Sequence, residues 1–138
     1  MKRAVVLIIT NPQGRVLLLK RSADSRVFPG EYCLPGGKVD KISTGYGGTW
    51  EADDVACIRE CIEETGIIPT MIEHTGITAC GHDQQYVVSV FKSLLESNSE
   101  DVTTTFPNRE HSEFGFFDVM RLPKEIGKLT QQIILQVL

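Results

Sequence analysis

The sequence predicts an α/β domain, and three observations predict it. Two apolar strand-type runs, AVVLII at 4–9 and VLLL at 16–19, are joined by the turn signal NPQG. A stretch from about Asp53 to Thr65 has helical periodicity and is followed by Gly66. Two further strand-type segments, MIEHTGITAC and YVVSVFKSLL, come after it. Strands on both sides of a helix within 138 residues, with no repeat, linker or low-complexity tract, predict one domain over residues 1–138.

In chain order, the opening hairpin exits at Lys20 and Arg21. The next segment, SADSRVFPGEYC, is polar and punctuated by Pro and Gly. LPGGKVD then leads into KISTGYGG, whose three glycines in eight residues predict no regular element. In the helix, Val55, Ile58 and Ile62 form the apolar stripe expected to face a sheet, with Glu60, Glu63 and Glu64 centred on the opposite side. Gly66 is its expected C-terminal stop. The two later strands are expected to pair through the loop around Gly81-His82-Asp83. SNSEDVTTTFPNREHS reads as a long polar connection and FGFFDV as a further strand. Thr130 is the expected cap of a short amphipathic helix, QQIILQVL.

Composition excludes several classes. With 41% hydrophobic and 23% charged residues the chain is close to globular averages, which argues against disorder. A net charge of -4 lacks the basic footprint that duplex nucleic acid requires, leaving a nucleotide held at a local site. MKRAVVLIIT has the charge and apolar run of a signal peptide, but Asn11-Pro12 ends it short of an export core, and no stretch is long enough to span a membrane. A cytoplasmic protein is expected, and a homodimer is an open possibility. Cys33, Cys57, Cys61 and Cys80 have neither zinc-ribbon spacing nor a CxxC pair, so they are expected as small buried hydrophobes. His74, His82 and His111 are scattered, and only His111 lies in acidic company.

The chemistry is concentrated in RECIEETG, residues 59–66. At about 100° per residue Glu60, Glu63 and Glu64 share one helix face, where like charges repel by a few tenths of a kcal/mol per pair. The glycine-rich turn LPGG precedes the helix and lets backbone approach a ligand closely. Three carboxylates with a backbone oxygen suit a hard divalent cation such as Mg²⁺ or Mn²⁺, which would offset the repulsion. Mg²⁺ is commonly held by a few carboxylates together with substrate phosphates, so the chemistry suggested is cleavage of a phosphate ester or anhydride.

Glu51, seven residues, then Arg59-Glu60-Cys61-Ile62-Glu63-Glu64-Thr65-Gly66-Ile67 resembles the Nudix box. That pattern runs Gly, five residues, Glu, seven residues, Arg-Glu, a bulky aliphatic, any residue, Glu-Glu, any residue, Gly and a bulky aliphatic. Every charged position is filled, LPGG ahead of the box is similar to the segment that leads into it in this family, and with the opening hairpin, the later strands and the C-terminal helix the resemblance covers nearly the whole chain. Two departures stand out. Cys61 replaces the bulky aliphatic, and thirteen residues instead of five separate Gly37 from Glu51, so residues 41–48 read as a loop insertion beside the site. Gly45 meets the five-residue spacing literally and is the rival box glycine.

The resemblance implies an α/β/α sandwich with a mixed β-sheet, and a metal-dependent pyrophosphohydrolase that sends water onto a phosphorus of a nucleoside diphosphate linked to another group, X. It implies Glu60, Glu63 and Glu64 as ligands of Mg²⁺ or Mn²⁺, the Gly37 carbonyl as a further ligand, and Arg59 paired with Glu51 to fix the loop on the helix. Members of the family draw the general base from the box or from a distant loop. Here the loop candidates are Glu110, as accessory ligand or base, and then Glu113. Lys20 and Arg21 are candidates for substrate phosphates, and Phe28, Tyr86 and Phe116 for stacking on a base. The expected substrates are nucleoside triphosphates or dinucleoside polyphosphates, with ADP-ribose third. A catalytically weak nucleotide-binding sensor on the same fold is the alternative.

Overall fold

The structure, a computed structural model, describes residues 2–44, 47–81, 85–96, 102, 106–108 and 110–138. Among these the element order is β1 (Lys2–Thr10), β2 (Val16–Arg21), β3 (Tyr32–Cys33), β4 (Gly36–Lys38), β5 (Lys41–Thr44), β6 (Gly47–Trp50), α1 (Asp53–Thr65), β7 (Glu73–Gly81), β8 (Tyr86–Leu94), β9 (His111–Phe117) and α2 (Lys128–Val137).

The opening turn forms for a chemical reason. Asn11 Oδ1 accepts hydrogen bonds from the amides of Gln13 and Arg15, at 3.0 and 2.9 Å, and Gly14 takes the left-handed conformation at φ 76°. The two strands that it joins then diverge. β1 meets β2 at Thr10↔Val16, while along its length it runs parallel to β8, from Lys2↔Tyr86 to Thr10↔Leu94, and antiparallel to β4. β2 pairs instead with β3 and β9. β7 completes the sheet antiparallel to β8, as the two later segments predict; residues 82–84 between them lie outside the described set. The sheet is therefore mixed.

Strand alternation divides the core into two layers. Val5, Leu7, Ile9, Leu17 and Leu19 pack with Ala56, Cys57 and Cys61 of α1, whereas Ile8, Val16, Leu18 and Val90 pack with Ile133 and Ile134 of α2. The result is a helix on each face of a mixed sheet. At the start of α1, Arg3 pairs with Asp53, and Ser89 Oγ donates to Asp53 Oδ2 at 2.7 Å, which ties the helix to β1 and β8.

Several sequence expectations need correction. Helix α1 has the expected bounds, and Gly66 stops it at φ 76° with its N–H on the Ile62 carbonyl. Its buried face, however, is Ala56, Cys57, Cys61, Glu64 and Thr65, while Val55 is 53% exposed and Ile62 41%. Small residues let the helix lie close to the sheet, so the inward face is the narrow one rather than the bulky stripe. Cys57 and Cys61 are the buried hydrophobes expected, but Cys33 is half-buried and Cys80 exposed. Thr130 does not cap α2, which begins at Lys128 after Gly127; Thr130 is buried within the first turn.

The stretch from LPGG to the helix is also more regular than expected. β4 forms because Gly36 and Gly37 lie against β1, with Val6↔Gly36 and Val5↔Gly37 in register. β5 and β6 make a separate two-stranded ribbon from Lys41↔Trp50 to Thr44↔Gly47, with the Lys41 ammonium 6.0 Å from the Trp50 ring centroid. The rival box glycine, Gly45, lies outside the described residues.

A Cβ on Gly36 would lie 2.1 Å from the Val5 carbonyl oxygen, a backbone atom with no rotamer to escape into. Gly36→Ala should therefore destabilise the protein by about 3 kcal/mol or more, read as a lowered denaturant midpoint. An unchanged midpoint would mean that β4 does not sit on β1 this closely.

Candidate active site

The site is assembled on the neck of the ribbon. Glu51 N donates to the Asp40 carbonyl, and Asp40 N donates to Glu51 Oε1, both at 2.8 Å. This places Glu51 against α1, where Arg59 grips both carboxylate oxygens, Nη2 to Oε1 at 2.6 Å and Nε to Oε2 at 3.4 Å. The same guanidinium donates to the Lys38 carbonyl at 3.2 Å, so strand β4, the ribbon and the helix share one cross-link. The Arg59 hydrogen bond holds the Glu51 carboxyl below its usual range, and Glu51 in return raises Arg59. Glu51 is only 8% exposed, and this pairing is the one the sequence anticipates.

Next to this cross-link, Glu60, Glu63, Glu64, Asn108, Glu110 and His111 line a cleft of about 250 Å³. Glu64 is its buried carboxylate, 7% exposed. Its Oε1 accepts the Gly36 N–H at 2.8 Å, and its Oε2 lies 3.3 Å from His111 Nε2. Burial pushes the Glu64 carboxyl well above the usual range; the Gly36 N–H lowers it, while Glu60 and Glu110 add to the rise. Glu60 is also raised, by burial first, although Arg59 Nη1 lies 3.0 Å away. Its carboxylate occupies the space beside Gly37, where a Cβ would come within 2.5–2.7 Å of it, so a side chain at 37 would displace the Glu60 carboxylate. Glu63 points outward and reaches Arg59 at 3.4 Å.

A divalent cation fits this arrangement. Ligand atoms of Glu64, Glu110 and His111 lie within 4.8 Å of one another, and the donors around them are mainly carboxylate oxygens. A carboxyl pushed upward chiefly by burial is the group that a bound cation would stabilise as the carboxylate. His111 is almost fully buried, and burial lowers it to about 4, so its imidazole is neutral at neutral pH.

The remaining candidates divide. Arg21 lines a larger cavity of about 550 Å³ with Phe28, Cys33, Gly36, Gly37, Glu64, Lys128 and Thr130, and its Nε donates to the Val27 carbonyl at 2.7 Å. Lys20 instead lies over the Tyr32 ring, with its ammonium 5.5 Å from the centroid. Glu113 accepts the Tyr32 hydroxyl at 2.5 Å and is not brought to the acidic cleft. Phe116 packs into the core layer under α1, and Tyr86 stands between Lys2 and Lys38, with ammonium groups 5.5 and 5.9 Å from its ring. His111 is the site residue to which sequence reasoning gave no role. Its position between two glutamates was the available signal, but not which face of the strand it would take.

Comparison with known proteins shows the family and the fold. Residues 1–137 match the family model described as NUDIX domain. Over 78 residues the chain is 33% identical to an uncharacterized Nudix hydrolase NudL of Enterobacter sp. (strain 638), an alignment covering 55% of this chain and 37% of that relative. Among solved structures it is similar to a MutT NUDIX hydrolase from Burkholderia pseudomallei, at 26% identity and TM-score 0.79 over 99% of this chain and 97% of that one. It is also similar in fold to the NUDIX domain of Shewanella oneidensis NrtR complexed with ADP ribose, at 20% identity and TM-score 0.69, covering 97% and 84% of the two chains. The α/β/α sandwich is the fold of these neighbours. Among the described residues no helix is long and apolar enough to cross a membrane.

The Glu64 environment generates a stability prediction. Its folded carboxyl lies above the unfolded value of 4.5, so the native state binds the extra proton. Stability from this group is present below that value and is lost as pH rises through the folded pKa. In chelator, Glu64→Gln should flatten this loss and raise the melting temperature at neutral pH, while the exposed Glu63→Gln should change it little. Thermal unfolding from pH 4 to 8 checks this; a Glu64→Gln protein less stable than wild type at neutral pH would refute the reading.

Proposed function

Because the chain belongs to the NUDIX family, whose model spans residues 1–137, we propose that it is a divalent-metal-dependent pyrophosphohydrolase acting on a nucleoside diphosphate linked to a further group. On this reading residues 1–138 act as one hydrolase domain. The observation that carries the proposal is that Glu64 lines both the acidic cleft and the 550 Å³ cavity, so a phosphate chain held at one would lead a nucleotide or its X group into the other.

Glu60, Glu63 and Glu64 are the residues to hold Mg²⁺ or Mn²⁺, with the Gly37 carbonyl as a further donor. The cation, when bound, supplies the positive charge that polarises phosphoryl oxygens and acidifies water. Arg59 and Glu51 keep β4 and the helix in fixed relation, so the carboxylates need not reorganise when charge develops. Glu110, exposed at the cleft mouth, is the carboxylate free to take the proton of the attacking water. Arg21 is the residue to face substrate phosphates; Lys20 lies over the Tyr32 ring and Glu113 accepts the Tyr32 hydroxyl, so neither joins the site. The preferred substrates are nucleoside triphosphates or dinucleoside polyphosphates, with ADP-ribose third. The working compartment is the cytoplasm, where cysteines such as these four, all unpaired, stay reduced.

A phosphate-release assay over a nucleotide panel, with Mg²⁺ or Mn²⁺ and with chelator, tests the proposal. Turnover that needs the cation is expected, and Glu64→Gln and Glu63→Gln should each lower it by about 100-fold or more. No turnover under any condition would favour the nucleotide-binding sensor, and wild-type turnover in both variants would remove the metal assignment.

The ribbon offers a separate test. Among the described residues no other strand shares a ladder with β5 or β6, and the Asp40–Glu51 neck closes beneath them, so replacing residues 42–49 by a short turn should preserve folding. If the ribbon selects X, the shortened protein will rank the panel differently. A uniform loss would instead make it a support for the neck.

A further inference from the structure

We infer that His111 is a positioning residue that orients the Glu64 carboxylate, and that a bulge in β9 turns it toward that task. The inference rests on the proposed role of Glu64.

The register of β9 on β2 carries the argument. From Val16↔Phe117 to Lys20↔Glu113 the strands advance one residue against one, and then Arg21 pairs with His111, so Ser112 is the extra residue. In a regular strand His111 would share a face with Glu113 and Phe117. That is the face of α2, since Phe117 packs in its core layer and Glu113 takes the Tyr32 hydroxyl. Phe114 and Phe116 lie on the α1 face. The inserted Ser112 reverses the alternation and moves the imidazole to the α1 side, where Nε2 stands 3.3 Å from Glu64 Oε2 and 4.0 Å from Cys33 Sγ. Bulges commonly re-aim a side chain in this way beside active sites.

The bulge is itself fixed. Asn108 Oδ1 accepts the amides of Glu110 and His111, at 3.1 and 2.8 Å, and Asn108 N donates to the His111 carbonyl at 2.8 Å. Ser22 N donates to the Glu110 carbonyl at 2.9 Å. The backbone on both sides of the imidazole is therefore held before Glu64 is met. Glu64 is then met from two directions, its Oε1 by the Gly36 N–H at 2.8 Å and its Oε2 by the imidazole at 3.3 Å. A residue that fixes a metal-holding carboxylate without touching substrate changes metal affinity and turnover together, typically by 10–100-fold.

Three variants test this in the full chain. His111→Leu keeps bulk without a donor, His111→Gln restores an N–H donor, and Asn108→Ala loosens the bulge while leaving the imidazole in place. The measurements are Mn²⁺ titration by electron paramagnetic resonance without substrate, kcat and KM on any nucleotide wild type turns over, and the melting temperature. For His111→Leu we expect Mn²⁺ affinity and kcat to fall by about 10–100-fold with KM unchanged, with His111→Gln recovering most of both and Asn108→Ala falling between. Wild-type affinity and kcat in a folded His111→Leu protein would overturn the inference, as would a His111→Gln protein equally impaired. If His111→Leu does not fold, wild-type Mn²⁺ affinity in Asn108→Ala overturns it. A nitrogen coupling to bound Mn²⁺ in the wild-type pulsed spectrum would make His111 a ligand and also overturn the positioning role. If wild type hydrolyses no nucleotide, the hydrolase reading fails, while the Mn²⁺ titration still decides the role of His111.

Discussion

The site depends on how closely helix α1 lies against β4 and β1. Ala56, Cys57 and Cys61 are small enough to bring the helix in, and Gly36 and Gly37 remove the side chains that would hold it off. At that separation the Gly36 N–H reaches Glu64 and the Glu60 carboxylate fills the space above Gly37. A bulkier residue at 36 would meet backbone, and one at 37 would meet the carboxylate. The acidic face is therefore partly an inward face, which is why burial, rather than mutual repulsion, is the leading cause of the raised Glu60 and Glu64 carboxyls.

This close approach marks where the sequence could be read and where it could not. The opening hairpin, the helix bounds, the Gly66 stop and the β7–β8 pair were legible because turn chemistry and local periodicity determine them. The stripe of Val55, Ile58 and Ile62 does not mark the inward face because bulk does not decide burial here: the short distance to the sheet favours cysteine and alanine. β4 was invisible for a related reason. Gly-Gly-Lys has no strand preference of its own and is extended only because β1 supplies its partners.

The chemical residues follow the same division. Glu51, Arg59, Glu60, Glu63 and Glu64 are set by spacing along one helix and its leading loop, and the structure brings them together. Glu113 and His111 were exchanged in importance because their faces depend on a single extra residue in β9, and register is a property of two strands rather than one. Lys20 and Arg21 differ likewise. Neighbours in a strand point to opposite faces, so the pair that reads as one basic patch becomes a lysine over Tyr32 and an arginine in the larger cavity.

The like charges on α1 are offset unevenly, and the unevenness singles out Glu64. One guanidinium has enough donors to face several carboxylates, and Arg59 reaches Glu51 at 2.6 Å, Glu60 at 3.0 Å, Asp40 at 3.3 Å and Glu63 at 3.4 Å. Glu64 is not among its partners. Beside the neutral imidazole of His111, the groups that lower it are one backbone N–H and the field of Arg21, and these do not balance its burial, so the carboxyl stays well above the usual range. Glu64 is thus the member of the face with most to gain from an added positive charge. It is also the member that the acidic cleft shares with the larger cavity, so the position where a cation is most stabilising is the position where it would meet a phosphate chain.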